Sequence, residues 1–385
     1  MIPYGKQHIN QADIDAVLEV LTSDFLTQGP KVPEFEQSIA TYCGASYAVA
    51  VNSATSALHI ACLAMGIGEG DLVWTSPISF VASANCVLYC GGDIDFVDIN
   101  SESFNIDINA LENKLAQAKA NGRLPKALIA VHMSGLSCEM KEIYELSLQY
   151  GFRIIEDASH AIGARYLGKT VGNCEFSDMA VFSFHPVKII TSAEGGMVVT
   201  NDEELANNLQ LFRSHGVTRD EDMMTGPSHG AWYYQQISLG YNYRMSDIQG
   251  ALGTSQLNRL DEFVAIRNRI ADRYDDQLTD LPILLPEFSA DFYSSRHLYV
   301  IRLQLEKMSK SHIEVFDELR ANDVGVNLHY IPIHLQPYYR KLGFNFGDYP
   351  QAESYYSQAI SIPIYAQMTE KEQDDVVRVL HQVVR

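Results

Sequence analysis

The sequence predicts an α/β protein: a mainly parallel, seven-stranded sheet covered by helices on both faces, followed by a smaller α+β domain. Three observations carry this. Seven short runs, YAVAV, DLVWT, DIDFVDI, KALIAVHM, FRIIED, MAVFSF and GMVVT, are nearly continuous in apolar residues and are separated by longer segments, most of helix length. Strands buried on both faces look like this, whereas half-exposed strands alternate. At 385 residues the chain exceeds the usual size of one core, so a large domain (1–255, with an N-terminal helix) and a small one (256–385) are expected. Beyond about Leu260 the alternation stops. A long helical stretch there leads to the strand candidate HLYVIRLQL, the helix SHIEVFDELRAND, the run VGVNLHYIPIHLQPYY and a terminal helix.

At the N-terminus, Asn10 is a good helix cap, and Ile14, Val17, Leu18 and Leu21 recur at helical spacing, so an amphipathic helix ending near Ser23 is expected. Gly29, Pro30 and Pro33 mark an irregular stretch before a second helix that runs to about Tyr42. Such a loop suits a subunit contact or the wall of a site. Gly226 to Ala231 is the expected mobile loop.

Hydrophobic residues at 46% with 20% charged describe an ordinary globular chain, with no run long enough to span a bilayer. The opening MIPYGKQHINQ has no basic segment followed by an apolar one, so a cytoplasmic protein is expected. A net charge of −20 argues against nucleic-acid or membrane partners, because phosphate surfaces are held by clustered Lys and Arg. Cys43, Cys62, Cys86, Cys90, Cys138 and Cys174 show neither a CxxC pair nor zinc spacing, so no disulfide and no metal is expected.

Parallel sheets bind ligands at the carboxyl ends of their strands. After YAVAV comes Asn52-Ser53-Ala54-Thr55-Ser56, a polar turn feeding a helix whose first N–H groups suit a phosphate, although plain N-capping explains it equally well. After DLVWT comes Phe80, suited to lie on an aromatic ring or to pack in the core. FRIIE ends at Asp157, an acid costly to bury unless it meets a cation such as a protonated pyridine nitrogen; capping a following helix is the competing role. His160 follows near the same face. Lys188 stands between MAVFSF and the pair Gly195-Gly196, where partial desolvation would make its amine nucleophilic toward an aldehyde.

Together NSATSALH, EDASHAIGA, SFHPVK, EGGMVV and LGYNYRMSDIQGALG resemble the pyridoxal-phosphate sugar aminotransferases of the DegT/DnrJ/EryC1/StrS family over nearly the whole chain. The resemblance implies the fold-type I architecture and pyridoxal 5'-phosphate as cofactor. By position, Lys188 matches the lysine that joins the cofactor, Asp157 the partner of its ring nitrogen, Phe80 the ring-packing aromatic and His160 a residue near its ring oxygen. Thr55, Ser56 and Ser183 match phosphate contacts, and Asn242, or the nearby Arg244, matches a contact reaching the phosphate from a second subunit. A homodimer with shared sites is therefore implied.

The usual donor in the family is L-glutamate and the usual acceptor a nucleotide-linked keto sugar. The opening IPYGKQHINQADIDAVLEVLTSDFLTQGPKVPEFE with SFHPVKIIT looks most like the pseudaminic-acid branch, whose members aminate UDP-2-acetamido-2,6-dideoxy-β-L-arabino-hexos-4-ulose at C4. The branch that makes UDP-4-amino-4-deoxy-L-arabinose from a UDP-4-ketopentose is the alternative. His329, His334 and Tyr338 resemble the segment closing over the site, and Lys31, Arg219 and Arg244 are the basic candidates for the diphosphate. Relatives that remove a sugar hydroxyl carry histidine where this chain has Lys188, which disfavours dehydration; Lys188 and Asp157 together disfavour a non-catalytic role.

Overall fold

In the computed structural model, which describes residues 1–384, the seven expected strands form one sheet. They are β1 Tyr47–Val51, β2 Leu72–Thr75, β3 Asp93–Phe96, β4 Ala127–Val131, β5 Arg153–Asp157, β6 Met179–Ser183 and β7 Gly196–Thr200. Their spatial order is β1-β7-β6-β5-β4-β2-β3. Neighbours from β3 through β6 are parallel, while β7 is antiparallel to both β1 and β6. The reversal has a local cause. A parallel return needs a crossover, usually a helix, but β6 and β7 are joined by the loop that carries Lys188. Every residue of β4, β6 and β7 is buried, which is why these strands read as unbroken apolar runs.

Helix α1, Gln11–Leu21, starts as expected, with Asn10 accepting from Asp13 N and the Asp13 carboxylate accepting from Asn10 N. Its orientation is not the expected one. Ile14, Leu18 and Leu21 are about half exposed, whereas Asp13 is fully buried. The helix is held by polar bonds: Asp13 accepts from Ser255 and Gln256 and pairs with Arg259. Helix α2, Lys31–Cys43, has no side-chain cap of its own. Asp247 supplies one from far along the chain, accepting from the backbone N–H of Gly29 (2.6 Å), Lys31 (2.7 Å) and Val32 (3.2 Å).

The C-terminal part has its own core. An antiparallel sheet of Ile283–Leu284, Tyr299–Leu303 and Ala359–Ile362 packs with helices around Tyr274, Ile301, Leu319, Val376 and Leu380. The N-terminus is tied to this part: Gly325 N donates to the Ile2 carbonyl at 2.7 Å. Gly226 to Ala231 lies in a surface excursion between the paired segments Val217–Thr218 and Gln235–Gln236. The six cysteines are free, five of them buried. Among the described residues no helix is long and apolar enough to cross a membrane.

Candidate active site

Parallel strands all end on one side of a sheet, so the residues after β1, β2, β5 and β6 converge there, and the reversed β7 brings its first residue to the same place. They line a cavity of about 990 Å³. A second cavity, about 810 Å³, lies along the outer edge of β3, but its Asp93 and Asp95 are paired with Arg123 and Lys114 and it holds no free nucleophile.

The turn after β1 opens a helix start onto the cavity. Ser53 caps helix α3 (Ala54–Ala64), its hydroxyl accepting from Ser56 N at 3.1 Å, and the Ser56 hydroxyl donates to Asn52 Oδ1 at 2.7 Å. Ser56 therefore spends its donors inside the turn and shapes the cradle, while the Thr55 hydroxyl, also lining the cavity, makes no hydrogen bond among the described residues. The first N–H groups of a helix have no partner within it. Gly196 is the one residue type that fits alongside: a Cβ there would sit 2.5 Å from Ser53 C and O and 2.6 Å from Ala54 N. Ser183, at the end of β6, closes the same wall.

Asp157 ends β5 at 5% exposure. Its Oδ2 accepts from Ser83 at 2.6 Å, and Oδ1 accepts from the hydroxyl of Ser159 at 2.6 Å and its N–H at 3.2 Å. No helix follows, so helix capping does not explain this carboxylate. Phe80 is 59% exposed on the cavity wall, which sets core packing aside for it.

Lys188 is partly buried in the same cavity, and its Nζ makes no hydrogen bond or ion pair among the described residues. Burial lowers its pKa from 10.5 to about 8, against the opposing pull of Asp157. About a tenth of this amine is then neutral at pH 7. His160, His297 and His329 surround it, all buried and lining the cavity. Burial first, and then the Lys188 charge, lowers the pKa of each, to about 4 for His329. The histidines are thus neutral at pH 7. His329 is oriented by Ser361, 2.8 Å from its Nδ1, and His160 by the Tyr330 hydroxyl, 3.1 Å from its Nε2.

Several expected site residues lie elsewhere. Lys31 is drawn to Glu19 (3.2 Å) and Glu34 (3.4 Å) at the start of α2 and does not reach the cavity. His334 is fully buried, with Nε2 2.9 Å from Glu353, so it is a packing element and no substrate contact. Tyr338 points outward at 60% exposure because its neighbour Tyr339, at 2%, takes the place in the core. Arg219 is exposed on the surface excursion, and neither Arg244 nor the exposed Asn242 lines this chain's cavity. Conversely, Tyr4, Ser83, His297 and Tyr330 line the cavity without having been singled out. Tyr330 lies in the run that carries His329, His297 opens the strand candidate HLYVIRLQL and Tyr4 lies in the N-terminal opening MIPYGKQHINQ, but none had a chemical signal of its own.

The site fits pyridoxal 5'-phosphate: an anion cradle that a Cβ at position 196 would fill, a buried carboxylate, an open aromatic face and an unpaired amine share one cavity. The family model for the DegT/DnrJ/EryC1/StrS aminotransferase family matches residues 7–381. The chain is 40% identical over 375 residues, 97% of its length and 94% of the relative's, to a UDP-4-amino-4,6-dideoxy-N-acetyl-beta-L-altrosamine transaminase of Campylobacter jejuni. Among solved structures it is similar to Helicobacter pylori PseC, an aminotransferase involved in the biosynthesis of pseudoaminic acid, at 33% identity and a TM-score of 0.90, covering 100% of this chain and 99% of that one. The PLP-form of a putative sugar aminotransferase, Spr1654 of Streptococcus pneumoniae, is similar at 28% identity and a TM-score of 0.88, covering 100% of both chains. Geometry and likeness agree over the full length: the chain belongs to the DegT/DnrJ/EryC1/StrS aminotransferase family and is a sugar aminotransferase dependent on pyridoxal 5'-phosphate.

Proposed function

We propose that this cavity transfers the amino group of L-glutamate to C4 of UDP-2-acetamido-2,6-dideoxy-β-L-arabino-hexos-4-ulose. The observation that carries the chemistry is the unpaired Lys188 Nζ, its pKa lowered to about 8, in one cavity with the buried Asp157. Bound pyridoxal 5'-phosphate supplies an electron sink for the pair left when a donor carbon loses its proton. Lys188 would carry the cofactor until the amine of the donor takes its place, and its freed Nζ would then take up and return that proton, a task suited to an amine that titrates near neutral pH. Asp157, held by Ser83 and Ser159, accepts the hydrogen of the ring nitrogen. Phe80 packs on the ring and His160 meets its ring oxygen. Thr55, Ser183 and the first turn of α3 hold the phosphate, with Ser56 bracing that turn.

The choice of sugar is supported by the likeness to the Campylobacter transaminase and to PseC. Among the described residues no arginine lines the cavity of one chain, and a cation for a diphosphate is therefore sought outside it. A second copy is the source we favour. Ile14, Leu18, Leu21, Phe25 and Leu26 form an exposed apolar group on α1 and the segment after it, and Leu239, near the exposed Asn242, is 75% exposed. A two-fold dimer that covers them would bring Asn242 and Arg244 to the partner's cavity.

The test is incubation with L-glutamate and a panel of UDP- and dTDP-linked keto sugars, with products identified by mass and NMR. The acetamido 4-keto-6-deoxy sugar should turn over fastest; preference for the UDP-4-ketopentose would move the protein to the arabinose branch. Mixing Lys188→Ala and Asn242→Ala chains should restore part of the activity, and verified heterodimers without activity would count against shared sites.

A further inference from the structure

The run Tyr241-Asn242-Tyr243-Arg244 bridges to Ser214 through Asn242, and its residues alternate in what they face. Tyr241 and Tyr243 turn to the same side, with ring centroids 5.0 Å apart and an interplanar angle of 15°, while Asn242 between them is exposed. In an extended chain, side chains two apart share a face and the one between points the other way. The two tyrosines sit on His59, a buried residue one turn beyond Ser56 in α3. Its ring is 4.8 Å from that of Tyr241 and 5.9 Å from that of Tyr243, and its Nδ1 lies 3.1 Å from the Tyr243 hydroxyl.

The backbone is fastened on both sides. Asn52, whose Oδ1 accepts from Ser56, donates its N–H to the Tyr243 carbonyl at 2.8 Å. Opposite, the N–H groups of Tyr241 and Tyr243 donate to the carbonyls of Phe212 and Arg213 at 2.7 and 3.0 Å. Tyr243 is therefore joined to the turn and the helix that frame one chain's cavity, yet its neighbours Asn242 and Arg244 do not line that cavity. We propose that Tyr243, seated on His59, is a positioning residue that acts across the dimer, aiming Asn242 and Arg244 at the cavity of the partner subunit. This rests on the reading above that two copies share their sites. The ring stack sets the side of the run that faces inward, and the hydroxyl contact to His59 fixes how far along α3 it sits.

The experiment uses purified heterodimers of full-length chains in which one chain carries Lys188→Ala, so that borohydride fixes pyridoxal 5'-phosphate in one cavity alone. The cofactor concentration for half-maximal fixation then reads that cavity. Tyr243→Phe keeps the ring and removes the hydroxyl contact. Placed in the Lys188→Ala chain, opposite the cavity that is read, it should raise this concentration about three- to tenfold, as the loss of one hydrogen bond does. Placed in the chain that keeps Lys188, it should change the value by less than about twofold. Both heterodimers carry the same substitutions in total, so general damage to the fold weighs equally on them. A residue that only supports its own chain would give the reverse order; that result, equal losses in both placements, or no loss in either overturns the proposal. Asn242→Ala in the same two placements separates it from the reading beneath it. If Asn242→Ala acts only within its own chain, the sharing of sites fails and this proposal with it. A loss across the pair for Asn242→Ala without one for Tyr243→Phe overturns the role of Tyr243 alone.

Discussion

Replacing Lys188 by Met should stabilise the cofactor-free protein at neutral pH. Burial lowers the lysine pKa from 10.5 to about 8, so the folded chain binds this proton less tightly than the unfolded chain does. At about 1.4 kcal/mol per pH unit, the charged amine costs the fold about 3 kcal/mol at pH 7. The sign follows from linkage. Between about 8 and 10.5 the unfolded state holds more protons, so this group's contribution to stability rises with pH across that window, and its penalty is present in full below it. Met keeps the length and apolar body without the charge. The assay is urea unfolding of both cofactor-free proteins from pH 7 to pH 10. The variant should be ahead by about 3 kcal/mol at pH 7, with the pH-dependent part of the gap shrinking to about 1 kcal/mol at pH 10. A gap that is constant with pH, or a wild type more stable at pH 7, would refute a desolvated ammonium at this position.

Asp157→Asn should lower turnover by at least about a hundredfold with little change in melting temperature, since an amide cannot hold the ring-nitrogen proton by charge; near-normal turnover would make Asp157 only a turn residue. Gly196→Ala puts a Cβ 2.5 Å from the Ser53 backbone, and overpacking of this kind costs about 1–3 kcal/mol. Cofactor affinity, followed by absorbance titration, should fall by about tenfold or more, and unchanged affinity would count against the cradle. His334→Ala removes the buried side-chain partner of Glu353, leaving it the Gly347 N–H at 2.7 Å, and should cost about 3 kcal/mol in unfolding while leaving the KM for the keto sugar in place; a changed KM would restore His334 to the site.

The sheet and the centre of the site were legible in the sequence for one physical reason. A strand buried on both faces must be apolar throughout, so β4, β6 and β7 stand out as unbroken runs, and polar residues directly after such runs fall at the sheet's carboxyl edge. Asp157 and the Asn52–Ser56 turn were found this way, and Lys188 by its place between β6 and the glycine pair, whereas Ser183 was implied only by the family resemblance.

Other features are set by partners distant in sequence, and only the tertiary structure decided them. Helical spacing identified α1 and its apolar stripe, but spacing does not say which face turns inward; Asp13, bonded to Ser255, Gln256 and Arg259, turned that stripe to solvent. The run VNLHYIPIHL carries two histidines of the same type with opposite roles, because His329 opens onto the cavity beside Lys188 and His334 meets Glu353 in the interior. His297 and Tyr330 reach His160 from beyond the sheet's last strand, a convergence that no local pattern encodes. The identity of the reacting amine was local chemistry at a strand end. The surroundings that lower its pKa to about 8 come from side chains brought together by folding, and burial is a property of the whole packed chain.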